Sequence, residues 1–210
     1  MNYILITGTG RSGTSCFAKL LNACFPDYPM PGAGDWRADV DAGYEGWVRD
    51  IIGDETYRYG KTKLAGHPMF LKDPRGSAAL SVLADLGRAP RHVFICYRNP
   101  TFTAASRMNH QMQTYDAIER SGVSFLAKQD REQPQEAARE IQLVNDHLAI
   151  SMMMSAVWDY DIPHSVLKFP DFVEDGEALY RQVNKVLPIR SDIFMRKHAD
   201  IMDPAMVNFR

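Results

Sequence analysis

The chain has 210 residues, of which 45% are hydrophobic and 24% charged, a balance that suits one globular domain spanning 1–210 and excludes collagen-like, coiled-coil and largely disordered organisation. A formal net charge of -2 excludes the strongly basic surface that binds nucleic acid or anionic membranes without specificity, so any anion site has to be built locally.

Tyr3-Ile4-Leu5-Ile6-Thr7 is β-rich and apolar on both faces, the pattern of a strand inside a parallel sheet, and Gly8-Thr9-Gly10-Arg11-Ser12-Gly13 forces a turn directly after it. Phe17, Leu20, Leu21 and Cys24 then recur at helical spacing until Pro26, so the chain opens as strand, glycine-rich loop, helix. Residues 27–46 have no sustained period and read as a long surface loop. A second strand is expected at Pro68-Met69-Phe70-Leu71-Lys72, stopped by Asp73-Pro74, then a helix over 77–86 closed by Gly87. His92-Val93-Phe94-Ile95-Cys96-Tyr97 is the next strand, and Arg98-Asn99-Pro100 turns it into a helix from about Thr101. A long helix follows over 135–159, with Ala138, Ile141, Leu148, Met152 and Ala156 as its apolar positions. The pattern closes with a strand at Ser165-Val166-Leu167-Lys168-Phe169 and a last helix over 176–187. Alternating strands and helices predict an α/β fold, a P-loop-type three-layer sandwich with a mainly parallel central sheet, whose ligands gather beyond the carboxyl ends of the strands.

Cys16, Cys24 and Cys96 form no C-x-x-C pair and no cluster at metal-ligand spacing, so the reading is a reducing, cytoplasmic compartment with no disulfide framework and no metal. No apolar stretch approaches the roughly 20 residues that cross a bilayer, so no membrane span is expected.

Gly8-x4-Gly13-Thr14-Ser15 has P-loop spacing: small residues let backbone N–H groups close around an oxyanion at a helix N-terminus. Where P-loop nucleotidases place a lysine after the last glycine this chain has Thr14, and its cation, Arg11, lies inside the loop. A different phosphate arrangement is therefore expected. Arg98, ending a strand, and Ser106, about two turns into the following helix, form a candidate clamp for a second phosphate, remote from the first loop. Each piece alone also fits an ordinary turn or a solvated helix start.

Arg11-Ser12-Gly13-Thr14-Ser15, Leu71-Lys72-Asp73-Pro74-Arg75, Phe94-Ile95-Cys96-Tyr97-Arg98-Asn99-Pro100 with Ser106-Arg107, and Val166-Leu167-Lys168-Phe169-Pro170-Asp171-Phe172 together resemble the sulfotransferases that use 3′-phosphoadenosine 5′-phosphosulfate (PAPS). In motif style they are most similar to the bacterial and tyrosylprotein types. The resemblance implies that Gly10, Arg11, Ser12, Gly13, Thr14 and Ser15 bind the 5′-phosphosulfate and that Arg98 and Ser106 bind the 3′-phosphate. It also implies an aromatic, Phe169, near the adenine, and a cationic role for Lys72 on the transferred group. PAPS would be the donor and 3′,5′-bisphosphoadenosine (PAP) the product.

Arg11 is the first candidate for stabilising charge on the breaking S–O bond, and Lys72 the second, with a plain pairing to Asp73 as the alternative. Asp35, in Gly34-Asp35-Trp36-Arg37, is the candidate base by similarity to a glutamate of the tyrosylprotein enzymes; Glu45, His67 and His110 are further candidates, and a solvated loop role remains open for Asp35. The acceptor, whether small molecule, carbohydrate, lipid or peptide, is not written in the motifs, and neither is the oligomeric state. Two other readings stand beside this one: a P-loop small-molecule kinase using ATP and Mg, and a nucleotide-binding module without catalysis.

Overall fold

The computed structural model describes residues 3–28, 69–73, 76–109 and 135–206. The first apolar run forms β1 (Tyr3–Gly8), buried along its whole length. Such a strand needs neighbours on both sides and cover on both faces. It has them: β2 (Met69–Lys72) pairs on one side, β3 (His92–Tyr97) on the other, and β4 (His164–Lys168) lies beyond β3, giving the order β2-β1-β3-β4 with every pairing parallel.

Among the described residues the α-helices are α1 (Thr14–Cys24), α2 (Gly76–Asp85), α3 (Pro100–Asn109), α4 (Gln135–Asp159), α5 (Asp171–Glu174), α6 (Gly176–Val186) and α7 (Ser191–Ile201). Strand register decides which side chains share a face. Ile4, Ile6, Phe70, Phe94 and Leu167 point to one side, where Phe17, Leu20 and Leu21 of α1, Leu179 and Val183 of α6 and Phe194 of α7 cover them. Tyr3, Leu5, Leu71, Val93 and Ile95 point to the other, against Leu80 and Leu83 of α2 and Met153 and Val157 of α4. The expected α/β architecture, a parallel sheet between helical layers, is the one the chain adopts.

Local chemistry sets the helix ends. Gly87, at φ 64, lets its own N–H reach Ala84 O and the Arg88 N–H reach Leu83 O, the paired bonds of a glycine-terminated helix. Asn99 caps α3 by accepting the Thr101 N–H on Oδ1 at 3.0 Å, and Pro100 occupies the first helical position, where its missing N–H costs nothing.

Two expectations are corrected. The helix over 176–187 is not the last: α7 follows it. Its stripe is hidden in the sequence because His198 reads as a polar interruption, yet the ring is buried with Nε2 2.9 Å from Phe172 O. The inward face of α4 differs in part from the one expected: Ala156 is buried as expected, Met152 is half-buried, and the side chains of Ala138 and Ile141 lie outside the described residues. Leu148 is exposed, and the buried stripe runs through Gln142, Asn145, Asp146, Met153, Ala156 and Val157.

His92, at the start of β3, lies tilted against Phe94 with Nε2 3.1 Å from Ser165 Oγ. Burial first, then the His164 and Arg91 charges, push its pKa from 6.5 down to about 4. Between those values the unfolded chain takes the proton and the folded one does not, so this residue's contribution to stability is complete above pH 6.5 and is lost as pH falls toward 4. Melting temperatures of wild type and His92→Gln should therefore converge as pH is lowered through that window; a constant difference would contradict the assignment.

Candidate functional site

The connection leaving β1 enters α1 on one face of the sheet, while that leaving β3 enters α3, which packs on α4 on the other. Two such diverging exits open a crevice between adjacent strand ends. The glycine loop and Arg98 both lie there.

Gly8, Arg11 and Gly13 all have positive φ (152, 71 and 85), which curls the loop back over the strand end. At Gly8 an added Cβ would strike the Cys96 carbonyl of β3, so only glycine lets the loop leave so close to its neighbour. Gly13 is the N-cap of α1 and supplies no side-chain oxygen, leaving the first-turn amides of the helix to another acceptor. Thr9 Oγ1 and Ser12 Oγ are buried without a hydrogen-bond partner. Buried hydroxyls are normally paired. Two orphaned hydroxyls beside an uncapped helix start fit a bound oxyanion.

Arg98 is buried at the end of β3, its Nη1 donating to Arg11 O at 3.3 Å; Arg11 Nε in turn donates to Ser106 Oγ, also at 3.3 Å. The clamp expected to be remote from the loop is therefore joined to it, because β1 and β3 are adjacent and Ser106 of α3 meets Arg11 of the loop. Burial lowers the Arg98 pKa and the neighbouring Arg11 charge lowers it further. The two arginines bring positive charge to the glycine loop, where an anion would be favoured.

Phe169 carries the Arg98 guanidinium over its ring at 5.0 Å and packs edge-on against Phe172. A Cβ on Gly13 would approach Phe169 Cδ2 at 2.5 Å and Phe172 Cζ at 2.8 Å. The ring thus walls the loop and seats Arg98, a role the sequence did not suggest. Phe172, which shares the wall, was legible only as part of the motif after β4. Cys16 points elsewhere: its Sγ lies 3.0 Å from Met202 Sδ, and burial pushes its thiol up to about 11.

Lys72 ends β2 at the same sheet edge and is 2% exposed. It pairs in register with Ile6, so its side chain lies on the face that α1 covers, where its charge is felt by Cys96. Asp73 follows, fully buried, its N–H bound to Ile6 O. Gly10, Thr14 and Ser15 stand in the loop and first turn as expected. Asp35, Glu45, His67, His110, Pro74 and Arg75 lie outside the described residues.

No protein-family model matches the chain, and no curated protein matches it in sequence. Among solved structures, a sulfotransferase from Mycobacterium tuberculosis H37Rv superposes with a TM-score of 0.53 over 94% of this chain and 70% of that one, at 15% identity. A sulfotransferase from Alicyclobacillus acidocaldarius aligns over 91% and 82% at 18% identity, with a TM-score of 0.49. The first likeness establishes a shared α/β fold with an all-parallel sheet between helices. Among the described residues no helix is long and apolar enough to cross a membrane.

Proposed function

We propose that the protein is a sulfotransferase that moves the sulfuryl group of PAPS to a hydroxyl or amine of an acceptor and releases PAP. The observation that carries this reading is the chain Arg98–Arg11–Ser106, which joins a glycine loop suited to one anion to a clamp suited to a second, at adjacent strand ends. An adenosine donor phosphorylated at both 3′ and 5′ positions needs such a paired site. The missing P-loop lysine supports the same reading, since it removes the cation a kinase would use on a transferred phosphoryl group.

In the reaction the sulfur–oxygen bond to the donor's bridging oxygen breaks, a bond from sulfur to the acceptor atom forms, and the acceptor's proton passes to a base. Gly10, Ser12, Gly13, Thr14 and Ser15 hold the 5′ end through backbone N–H groups and hydroxyls; Arg98 and Ser106 hold the 3′-phosphate, with Arg98 kept in place by Phe169. Arg11, between the two, and Lys72, at the end of β2, offset the charge that builds on the leaving phosphate. Asp35 is the proposed base. The three thiols, Cys16, Cys24 and Cys96, suit a reducing, cytoplasmic setting.

Thermal shift with PAP, ADP and ATP, each with and without magnesium, tests the reading. PAP at a hundred times its Kd should stabilise by about 2.7 kcal/mol, without any divalent ion. For a chain of this size that is a rise of roughly 5–11 °C. A response only to ATP with magnesium would replace the sulfotransferase by a phosphotransferase. PAP binding with no sulfated product on any acceptor would reduce the protein to a binding module.

A further inference from the structure

Along α4 the sheet-facing stripe changes character. Met153, Ala156 and Val157 are apolar and sit in the core; Gln142, Asn145 and Asp146, on the same face of the same helix, are polar and equally inaccessible, at 5%, 6% and 2% exposure. The switch occurs where the sheet ends. Thr7 Oγ1, one residue before the end of β1, donates to Met153 Sδ at 3.8 Å, while the other end of α4 runs past Val157 to Ile162, packed with Tyr3 and Val93 at the strand starts. The helix is therefore antiparallel to the strands. Asp146 stands seven residues before Met153, about 10 Å further along at the helical rise. This carries the polar half beyond the carboxyl edge of the sheet, on the side where α3, with Thr103 and Ser106 buried, packs against α4.

A fully packed helix has no need of amides and a carboxylate at core positions, and Asn145 Oδ1 is buried with no hydrogen-bond partner. Arg98 and Ser106, at the end of β3 and on α3, are buried as Asn145 is. We propose that Gln142, Asn145 and Asp146 form the acceptor subsite, and that the acceptor is a neutral polyhydroxylated molecule of the carbohydrate or polyol class. Two amides, each offering donor and acceptor, beside one acceptor-only carboxylate match hydroxyl groups, which donate and accept together. The carboxylate disfavours an anionic acceptor, and the polar lining disfavours a flat apolar phenol or sterol. The inference rests on the sulfotransferase reading, which supplies the donor.

The test uses the full chain, radiolabelled PAPS, and three acceptor sets: neutral sugars and inositol, 4-nitrophenol, and a primary amine. Transfer to the neutral set is expected. Asn145→Leu, close in volume, should raise the KM for the accepted sugar at least tenfold, leave PAP affinity within twofold, and raise the melting temperature of the ligand-free protein, since it removes a buried amide oxygen that lacks a partner. Asn145→Ser, which puts a donating and accepting hydroxyl in place of the amide, should recover part of the KM. Transfer confined to 4-nitrophenol or the amine overturns the subsite while leaving the sulfotransferase reading intact. A lower melting temperature in Asn145→Leu with unchanged KM overturns it too, by showing a purely structural amide. Failure to bind PAP at all strikes the parent reading instead.

Discussion

Arg98→Met should abolish the response to PAP in a protein that still folds. Arg98 is buried, and burial first and then the nearby Arg11 charge disfavour its charged form, which a bound phosphate would favour. Its removal takes the donor from the Arg11 carbonyl and leaves an apolar side chain of similar length over Phe169, which now carries the guanidinium at 5.0 Å. Truncating one partner of a buried charged contact weakens binding by about 2–5 kcal/mol, or roughly thirtyfold to several thousandfold in Kd. Titration calorimetry with PAP reads this directly. Arg98→Lys keeps the charge without the planar fork and should fall between the two. Unchanged PAP affinity in Arg98→Met would remove the phosphate clamp from the protein's chemistry.

The second large effect separates two glycines that share positive φ and differ in surroundings. In Gly8→Ala the new methyl meets the Cys96 carbonyl, which is backbone pinned in the β1–β3 ladder and cannot give way, and approaches Ser12 Oγ at 2.7 Å. A loss above about 4 kcal/mol is expected, a fall of roughly 8–16 °C in melting temperature for a chain of this size. Gly87→Ala adds a methyl with nothing within 4 Å, so only the left-handed backbone is strained, about 1–2 kcal/mol. Soluble yield and thermal denaturation of the two variants compare them. Equal losses would mean that the close approach of the loop to β3 is absent.

Much of this molecule is written in short stretches. The buried run at Tyr3–Gly8, the glycines after it and the Asn99-Pro100 helix start are decided by neighbours a few residues apart, so periodicity and punctuation reveal them. The expected end of β2 at Lys72 and the span of α4 likewise agree with the fold, the latter residue for residue. The helix α7 is not legible in the sequence because His198 is buried by a bond to a carbonyl 26 residues away.

What residue order alone determined is the strand–loop–helix rhythm and the presence of a loop able to hold an anion, because hydrophobic spacing and backbone permissiveness act over single turns. Tertiary structure decided that Arg98 reaches Arg11 across 87 positions and that Arg11 reaches Ser106 across 95. It also set Phe169 beneath Arg98 and carried the polar half of α4 past the sheet edge. Those meetings depend on strand order and on how far each helix overruns the sheet. Both follow from burying two faces of one parallel sheet at once, a condition no local segment contains.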